Sequence, residues 1–390
     1  MYLPAWPGLG LTELPRMSGG VPLPFPLEAH DTTRFHTARS AIYYLFTELV
    51  NSGSAVVLVP DYHMGNEVRA IRAAGAQIVW YPVSRRFDID LDVLRRLCQG
   101  VRCHVLFVIH YAGWPQPIEA LRTLCEEYGL LLVEDCAMAL LTHAGGRPVG
   151  TFGDYSVFCL YKTLPLPDGA VLVQNRKRFN RLIDLPLRRS GRIFTAGRVA
   201  ELALERVRSR RPHMGRRLMG WKQGAGRLLT RCRVQRVPVG DTGFDLANVD
   251  IGMAPLSRRL LKGLDYHAIK QRRREYFHVL SEEFGAEAVR TDLAPGVCPL
   301  FFPLLVADKG DAARALWSRG VMATELWNEG DVSVGSHEAE DSRFLRKHVL
   351  ELPIHQDLTR QHIVYMARQV RDLGIGLRSM SIPKAVYQPC

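Results

Sequence analysis

The 390-residue chain is short of the features that mark several protein classes. Its eight cysteines (98, 103, 125, 136, 159, 232, 298 and 390) contain no C-x-x-C pair. Spacing therefore supports neither a disulfide scaffold nor a four-ligand zinc site. Small buried hydrophobes are expected instead, and no metal centre. No run of about 18 uncharged apolar residues occurs, so no spanning helix is expected. The N-terminal MYLPAWPGLG has no basic stretch ahead of an apolar block. It does not read as a signal peptide, and the chain is expected to be cytoplasmic. There is no internal repeat and no low-complexity tract. With 47% hydrophobic and 23% charged residues, the composition excludes a disordered, collagen-like or coiled-coil chain.

A formal charge of +12 suggests nucleic acid until it is located. Residues 196–236 hold eleven arginines and one lysine against Glu201 and Glu205. That segment carries almost the whole excess, and the remainder is nearly neutral, so the charge describes a segment and not the fold. Leu, Met, Val and Trp221 interleave with the arginines. The segment reads as a solvated or partner-packed insertion, with an anionic lipid surface or a substrate diphosphate as rival uses. The few aromatics argue against nucleic acid. A helical hairpin broken near Pro212 and Gly220–Gly226 is expected there.

Residues 1–30 carry six prolines and read as an extended arm packed on the body or on a partner. From about residue 36 short apolar runs alternate with helix-like runs. Expected strands are Ser54–Pro60, Gln77–Val83, His104–His110, Leu130–Glu134, Tyr155–Leu160 and Ala170–Gln174. Expected helices between them are Gly65–Ala74, Leu91–Cys98 and Ile118–Tyr128. Unalternating apolar strands suit a parallel sheet covered on both faces. One long helix is expected over 256–284. A strand after Pro299 and helices at Asp311–Arg319 and Thr359–Leu373 suggest a smaller C-terminal α/β unit. The reading divides the chain into an arm (1–30), a large domain (31–250, with the basic insertion) and a connecting helix with small domain (251–390).

Two separated residues carry the chemistry. Asp135 ends a buried strand, where open α/β sheets bind ligands. Lys162 ends a strand too apolar to want a lysine without a use for it. Pyridoxal phosphate needs such a pair: an amine to bond it and an acid opposite its ring nitrogen. Thr37, Ala38, Arg39, Ser40 and Ala41 open an apolar helix whose N–H groups suit a phosphate. Tyr62 or His63, just beyond the strand ending at Pro60, is the candidate for the ring face. Glu134 reads as structural, Cys136 as core, and His355 as a packing residue. Trp327 and His337 are candidates to flank the pocket.

These residues fall in blocks that resemble the DegT/DnrJ/EryC1/StrS group of sugar aminotransferases. The blocks are TARSAI, VPDYHMGNEVRAIRAAGAQIVW, VIHYAGWPQPIEAL, VEDCAMAL, GGRPVGTFGDYSVF with its following lysine, and ELPIHQDLT, in order over some 340 residues. The resemblance implies a fold-type I pyridoxal-phosphate enzyme with a large, mostly parallel, seven-stranded α/β/α domain and a small C-terminal α/β domain. It implies a homodimer with shared active sites that moves an amino group, typically from glutamate, to a nucleotide-linked keto sugar. It gives Lys162 as the cofactor-bonding lysine and proton shuttle, Asp135 as the ring-nitrogen partner, and Arg39 and Ser40 at the phosphate. His110 is expected to line the substrate pocket. The family's dehydratases carry His in place of the lysine, so Lys162 argues against that branch.

The chain also departs from the pattern. Met138 stands where the family has Gln or His on the cofactor's phenolic oxygen, and it cannot donate a hydrogen bond. Cys159 replaces the phosphate-contacting Ser. Pro167, Asp168, Gly169 and Ala170 replace Gly-Glu-Gly-Gly. Asp250 aligns with an Asn that acts in the neighbouring subunit. These changes raise a rival: a catalytically weak regulatory or binding protein on the same fold.

Overall fold

The structure is a computed structural model that describes residues 1–10, 22–211, 213–214 and 243–377. In order come β1 (Thr32–Phe35), α1 (Ala38–Asn51), β2 (Val56–Pro60), α2 (Asn66–Ala73) and β3 (Gln77–Tyr81). They are followed by α3 (Leu91–Gly100), β4 (Val105–Ile109), α4 (Ile118–Tyr128) and β5 (Leu131–Asp135). A small hairpin, β6 (His143–Ala144) and β7 (Arg147–Pro148), leads to β8 (Tyr155–Cys159) and β9 (Ala170–Gln174).

Seven of these strands form one sheet in the order β1-β9-β8-β5-β4-β2-β3. Only β9 runs against the rest, pairing antiparallel with both β8 and β1. Strands β4, β8 and β9 are buried at every residue, as a sheet covered on both faces requires. The chain leaves β2 outward to β3, then returns past β2 to β4. The crevice at that reversal lies at the carboxyl ends of the strands, where such sheets take ligands.

Beyond β9 come α5 (Asn180–Ile183) and α6 (Arg192–Arg210). The single helix expected over 256–284 is two helices, α7 (Pro255–Leu261) and α8 (Tyr266–Phe284). The break follows from local chemistry: Gly263 loosens the chain, and the Asp265 side chain accepts from the Ala268 N–H at 2.9 Å, starting a new helix. A second, antiparallel sheet has the order β10 (Phe301–Leu305), β12 (Val349–Pro353), β11 (Thr324–Glu325). It is flanked by α9 (Lys309–Ser318), α10 (Glu340–His348) and α11 (Arg360–Leu373). One buried core runs through both sheets, joining Phe46, Leu58 and Phe107 to Phe277, Phe302 and Leu352.

The described part of the N-terminal arm is fastened to the body. Leu3 bridges Val321, the Pro4 carbonyl accepts from His355 Nε2 at 2.9 Å, and the Gly8 N–H donates to Asp357 at 2.6 Å. Tyr2 donates to Glu205 of α6 at 2.8 Å, and Leu9 N–H to the Leu202 carbonyl at 3.1 Å. The described part of the basic segment is therefore a helix packed under this arm. Arg206 pairs with Asp357, and the Arg208 guanidinium lies 3.7 Å from the Tyr2 ring centre. The expected breaks at Pro212 and Gly220–Gly226, Trp221, and arm residues 11–21 lie outside the described residues. No described helix is long and apolar enough to cross a membrane.

Candidate functional site

A cavity of about 390 Å³ opens at the carboxyl ends of β4, β5 and β8. Its wall brings together Asp135 from β5, Cys159 from β8, Lys162, and Thr37, Ala38 and Arg39 at the start of α1. That size suits a ligand of cofactor dimensions. Met138 also faces it, as do Met64, Asn66 and Glu67 after β2, Trp327 from the small sheet's side, and Trp6, Arg198 and Glu201 from the arm and α6.

Each polar group is held by a specific device. Lys162 closes a 3-10 turn, Leu160–Lys162, that ends β8. The next carbonyl, Thr163, accepts from buried Arg273 at 3.1 Å and from Gln356 at 3.2 Å. Arg273 also donates to the Leu300 carbonyl at 2.7 Å, so α8 and the LPIHQDL segment fix the lysine turn together. Asp135 accepts from the Ala137 N–H at 2.8 Å. Its neighbour Glu134 points to the other side of the strand. There it accepts from Gly150, Phe152 and Gly153 N–H at 2.8, 2.9 and 2.5 Å, and from His110 Nε2 at 3.0 Å. His110 Nδ1 accepts from the Gln116 N–H, so Nε2 carries the proton. His110, Glu134 and Cys136 lie close enough to suggest a metal group. The imidazole and carboxylate atoms are already committed to these bonds, and the trio reads as a latch beneath Asp135.

Helix α1 begins at Thr37, whose backbone is extended and whose side chain makes no cap bond to the helix. Its hydroxyl instead meets the buried Ser40 hydroxyl at 3.1 Å. The first-turn N–H groups have no acceptor within the helix and face the cavity with the positive end of the helix dipole. That arrangement fits a phosphate. Asp168 is buried and ties the strand ends below: it accepts from Ser257 and from Ala254 N–H at 3.1 Å, and meets His36 Nδ1 at 2.8 Å.

Burial pushes the Asp135 carboxyl above its ordinary range, opposed by the Ala137 N–H and by Lys162 and His110. Glu67 is raised to about 7, by burial and then by Asp135. The Cys159 thiol is also raised by burial, which Lys162 partly offsets, so it stays protonated.

Other expected residues sit elsewhere. Tyr62 is fully buried behind Trp327, with ring centres 5.1 Å apart, and does not line the cavity. His63 stacks on Trp80 at 5.2 Å, and burial with Arg346 pushes its imidazole down to about 3. Met64 is the residue of that segment on the cavity wall. The turn at Gly65, with φ of 101°, decides which side chain faces in, and sequence alone does not reveal it. His110 is turned into the latch, not the pocket. Asp250 lies outside this chain's cavity, gripped by Arg188 through two bonds of 2.6 Å. Ser40 supports Thr37 from behind the wall. Glu67, Met64, Trp6 and Arg198 were not anticipated as wall residues. For Glu67 the only signal was an acid one helical turn beyond the residues already singled out.

Residues 39–191 match the DegT/DnrJ/EryC1/StrS aminotransferase family. A GDP-perosamine synthase of Vibrio cholerae is 31% identical over 175 residues, 44% of either chain. A dTDP-4-dehydro-2,3,6-trideoxy-D-glucose 4-aminotransferase of Saccharopolyspora spinosa is 30% identical over 141 residues, 35% of this chain and 36% of that one. The chain thus spans less than half the length of these curated relatives. The likeness in fold is wider. The aminotransferase TlmJ of Streptoalloteichus hindustanus superposes with a TM-score of 0.63 over 95% of this chain and 98% of its own, at 20% identity. The large mixed sheet with its mostly parallel strands is the fold of these enzymes, and the segment that matches the DegT/DnrJ/EryC1/StrS aminotransferase family carries both Asp135 and Lys162.

Proposed function

We propose that the protein is a pyridoxal-phosphate-dependent aminotransferase that moves an amino group, from glutamate as donor, to a keto sugar carried on a nucleotide. The observation that carries this reading is the meeting of Lys162 and Asp135 on one cavity wall beside the open start of α1. The residues fit the cofactor: an acid for the ring nitrogen, an amine for the aldehyde, and the positive N-terminal end of α1 for the phosphate. When bound, the cofactor supplies an electron sink that stabilises negative charge on the carbon bearing the amino group.

The chain's own groups do the rest. Asp135, held by Ala137 N–H, keeps a proton on the ring nitrogen; a cation there offsets the burial that otherwise raises its pKa. Lys162, on a turn fixed by Arg273 and Gln356, takes a proton from the donor's α-carbon and returns it to the acceptor side. Arg39 and Arg198 give the wall positive charge for the anionic ends of glutamate and of a diphosphate. Trp6 and Pro7 close part of the mouth and limit water. We read the protein as a homodimer, with Asp250 presented on the surface toward a partner's site.

The test is a half-reaction. Protein loaded with pyridoxal phosphate should lose its bound-aldehyde absorbance on adding glutamate, release 2-oxoglutarate stoichiometrically, and recover the band with one of a panel of nucleotide-linked keto sugars. Met138 and Cys159 offer weak contacts on the wall and favour a second reading, a binding protein. A bound cofactor that glutamate leaves unchanged would decide for that reading.

A further inference from the structure

We propose that Glu67 stands with Asp135 as a second carboxyl at the ring-nitrogen end of the cofactor, so that two acids from different elements flank one protonated heterocycle. This inference rests on the cofactor reading above and adds a group that the sequence analysis did not single out.

The geometry is specific. Glu67 lies in the first turn of α2, one helical turn beyond Met64, and both line the cavity. One of its oxygens accepts from the Met64 N–H at 2.8 Å. Asp135 is held in the same way by Ala137 N–H at 2.8 Å. Each acid is thus anchored to backbone N–H groups, Asp135 by Ala137 and Glu67 by Met64 and by its own N–H, and both line the cavity. Both residues are more than nine-tenths buried. Two acids of like charge in one dry wall do not both ionise unless a cation stands between them. The start of α1 and Arg39 form the anion-attracting part of the cavity, so the acidic part is left for the ring's positive end.

The groups facing Glu67 come from three other elements: Asp135 at the end of β5, Lys162 after β8, and Tyr111 after β4. The remaining charges on the wall are Arg39, Arg198, Glu201, Glu325 and Glu351. Burial and Asp135 raise the Glu67 carboxyl to about 7. A bound ring cation stabilises its ionised form and lowers that value. Binding then releases a proton near neutrality, and affinity gains from Glu67 only where it is ionised.

Pyridoxamine 5′-phosphate tests this, because it forms no bond to Lys162. Its dissociation constant is measured by calorimetry for the wild type and for Glu67→Gln, which keeps an oxygen for Met64 N–H. The ratio of the two constants should be near one at about pH 5.5 and rise about tenfold by about pH 8.5, the change that one unit of pKa displacement gives. A carbocyclic analogue without the ring nitrogen should show no such rise. A ratio constant across pH, or an equal rise with the carbocyclic analogue, would overturn the proposal. Failure of both proteins to bind pyridoxamine phosphate would instead refute the cofactor reading, and this inference with it. If the variant fails to fold, carbon-13 resonance of glutamate carboxyls in the wild type decides. The group titrating near neutrality must move to lower pH when the ligand is added, and an unmoved titration overturns the proposal.

Discussion

Replacing Glu134 by glutamine removes one acceptor oxygen and changes almost nothing else in volume. The carboxylate accepts four bonds in two pairs: Phe152 and Gly153 N–H on Oε1, Gly150 N–H and His110 on Oε2. A glutamine has one oxygen and one NH₂, so either orientation turns a donor toward two donors. Two bonds to a charged acceptor are lost at about 1.5–3 kcal/mol each, and buried N–H groups stay unpaired. We therefore expect Glu134→Gln to cost about 4 kcal/mol, read as a lower urea midpoint at unchanged slope. Because Glu134 sits next to Asp135, affinity for pyridoxal phosphate should fall in the same variant. A loss below about 1 kcal/mol would refute the latch, since it would mean that the loop 150–153 does not depend on this carboxylate.

Gly113 has φ of 107°, and a Cβ there would lie 2.3 Å from the Cys298 carbonyl oxygen and 2.8 Å from Pro299 Cα, both backbone atoms. Gly113→Ala should destabilise by more than about 2 kcal/mol in urea denaturation; a neutral result would contradict the close approach. Burial pushes the His355 imidazole from 6.5 down to about 4, so the folded protein holds it neutral while the unfolded chain protonates it. Stability should drop as pH falls from 6.5 through 4, by about 1.4 kcal/mol per unit, and His355→Gln should lack that component. Parallel pH profiles of the two proteins would show that His355 is not what fastens the arm at Pro4 in acid.

The central strands were legible because a sheet covered on both faces leaves continuous apolar runs, as in VLFVI of β4 and AVLVQ of β9. Strand β1 was not, because an edge strand of TTRF pairs on one side only and half of it stays polar. Asp135 and Lys162 were legible because a charge at the end of a buried strand demands a reason. The residue that lines the cavity just after β2 was not: Tyr62, His63 and Met64 are consecutive, and a turn at Gly65 selects among them. Asp250 and His110 show the same limit, since each finds a partner, Arg188 or Glu134, that no local pattern announces. The packing of Trp6 and Arg198 over the cavity depends on contacts between residues about 190 positions apart, beyond the reach of periodicity.

The most direct measurement is chemical. Protein incubated with pyridoxal phosphate, reduced with borohydride and digested should carry the phosphopyridoxyl group on the peptide containing Lys162, stoichiometrically. Asp135→Asn should weaken loading without moving the label. Labelling at another lysine, or none at all in folded protein, would contradict the account.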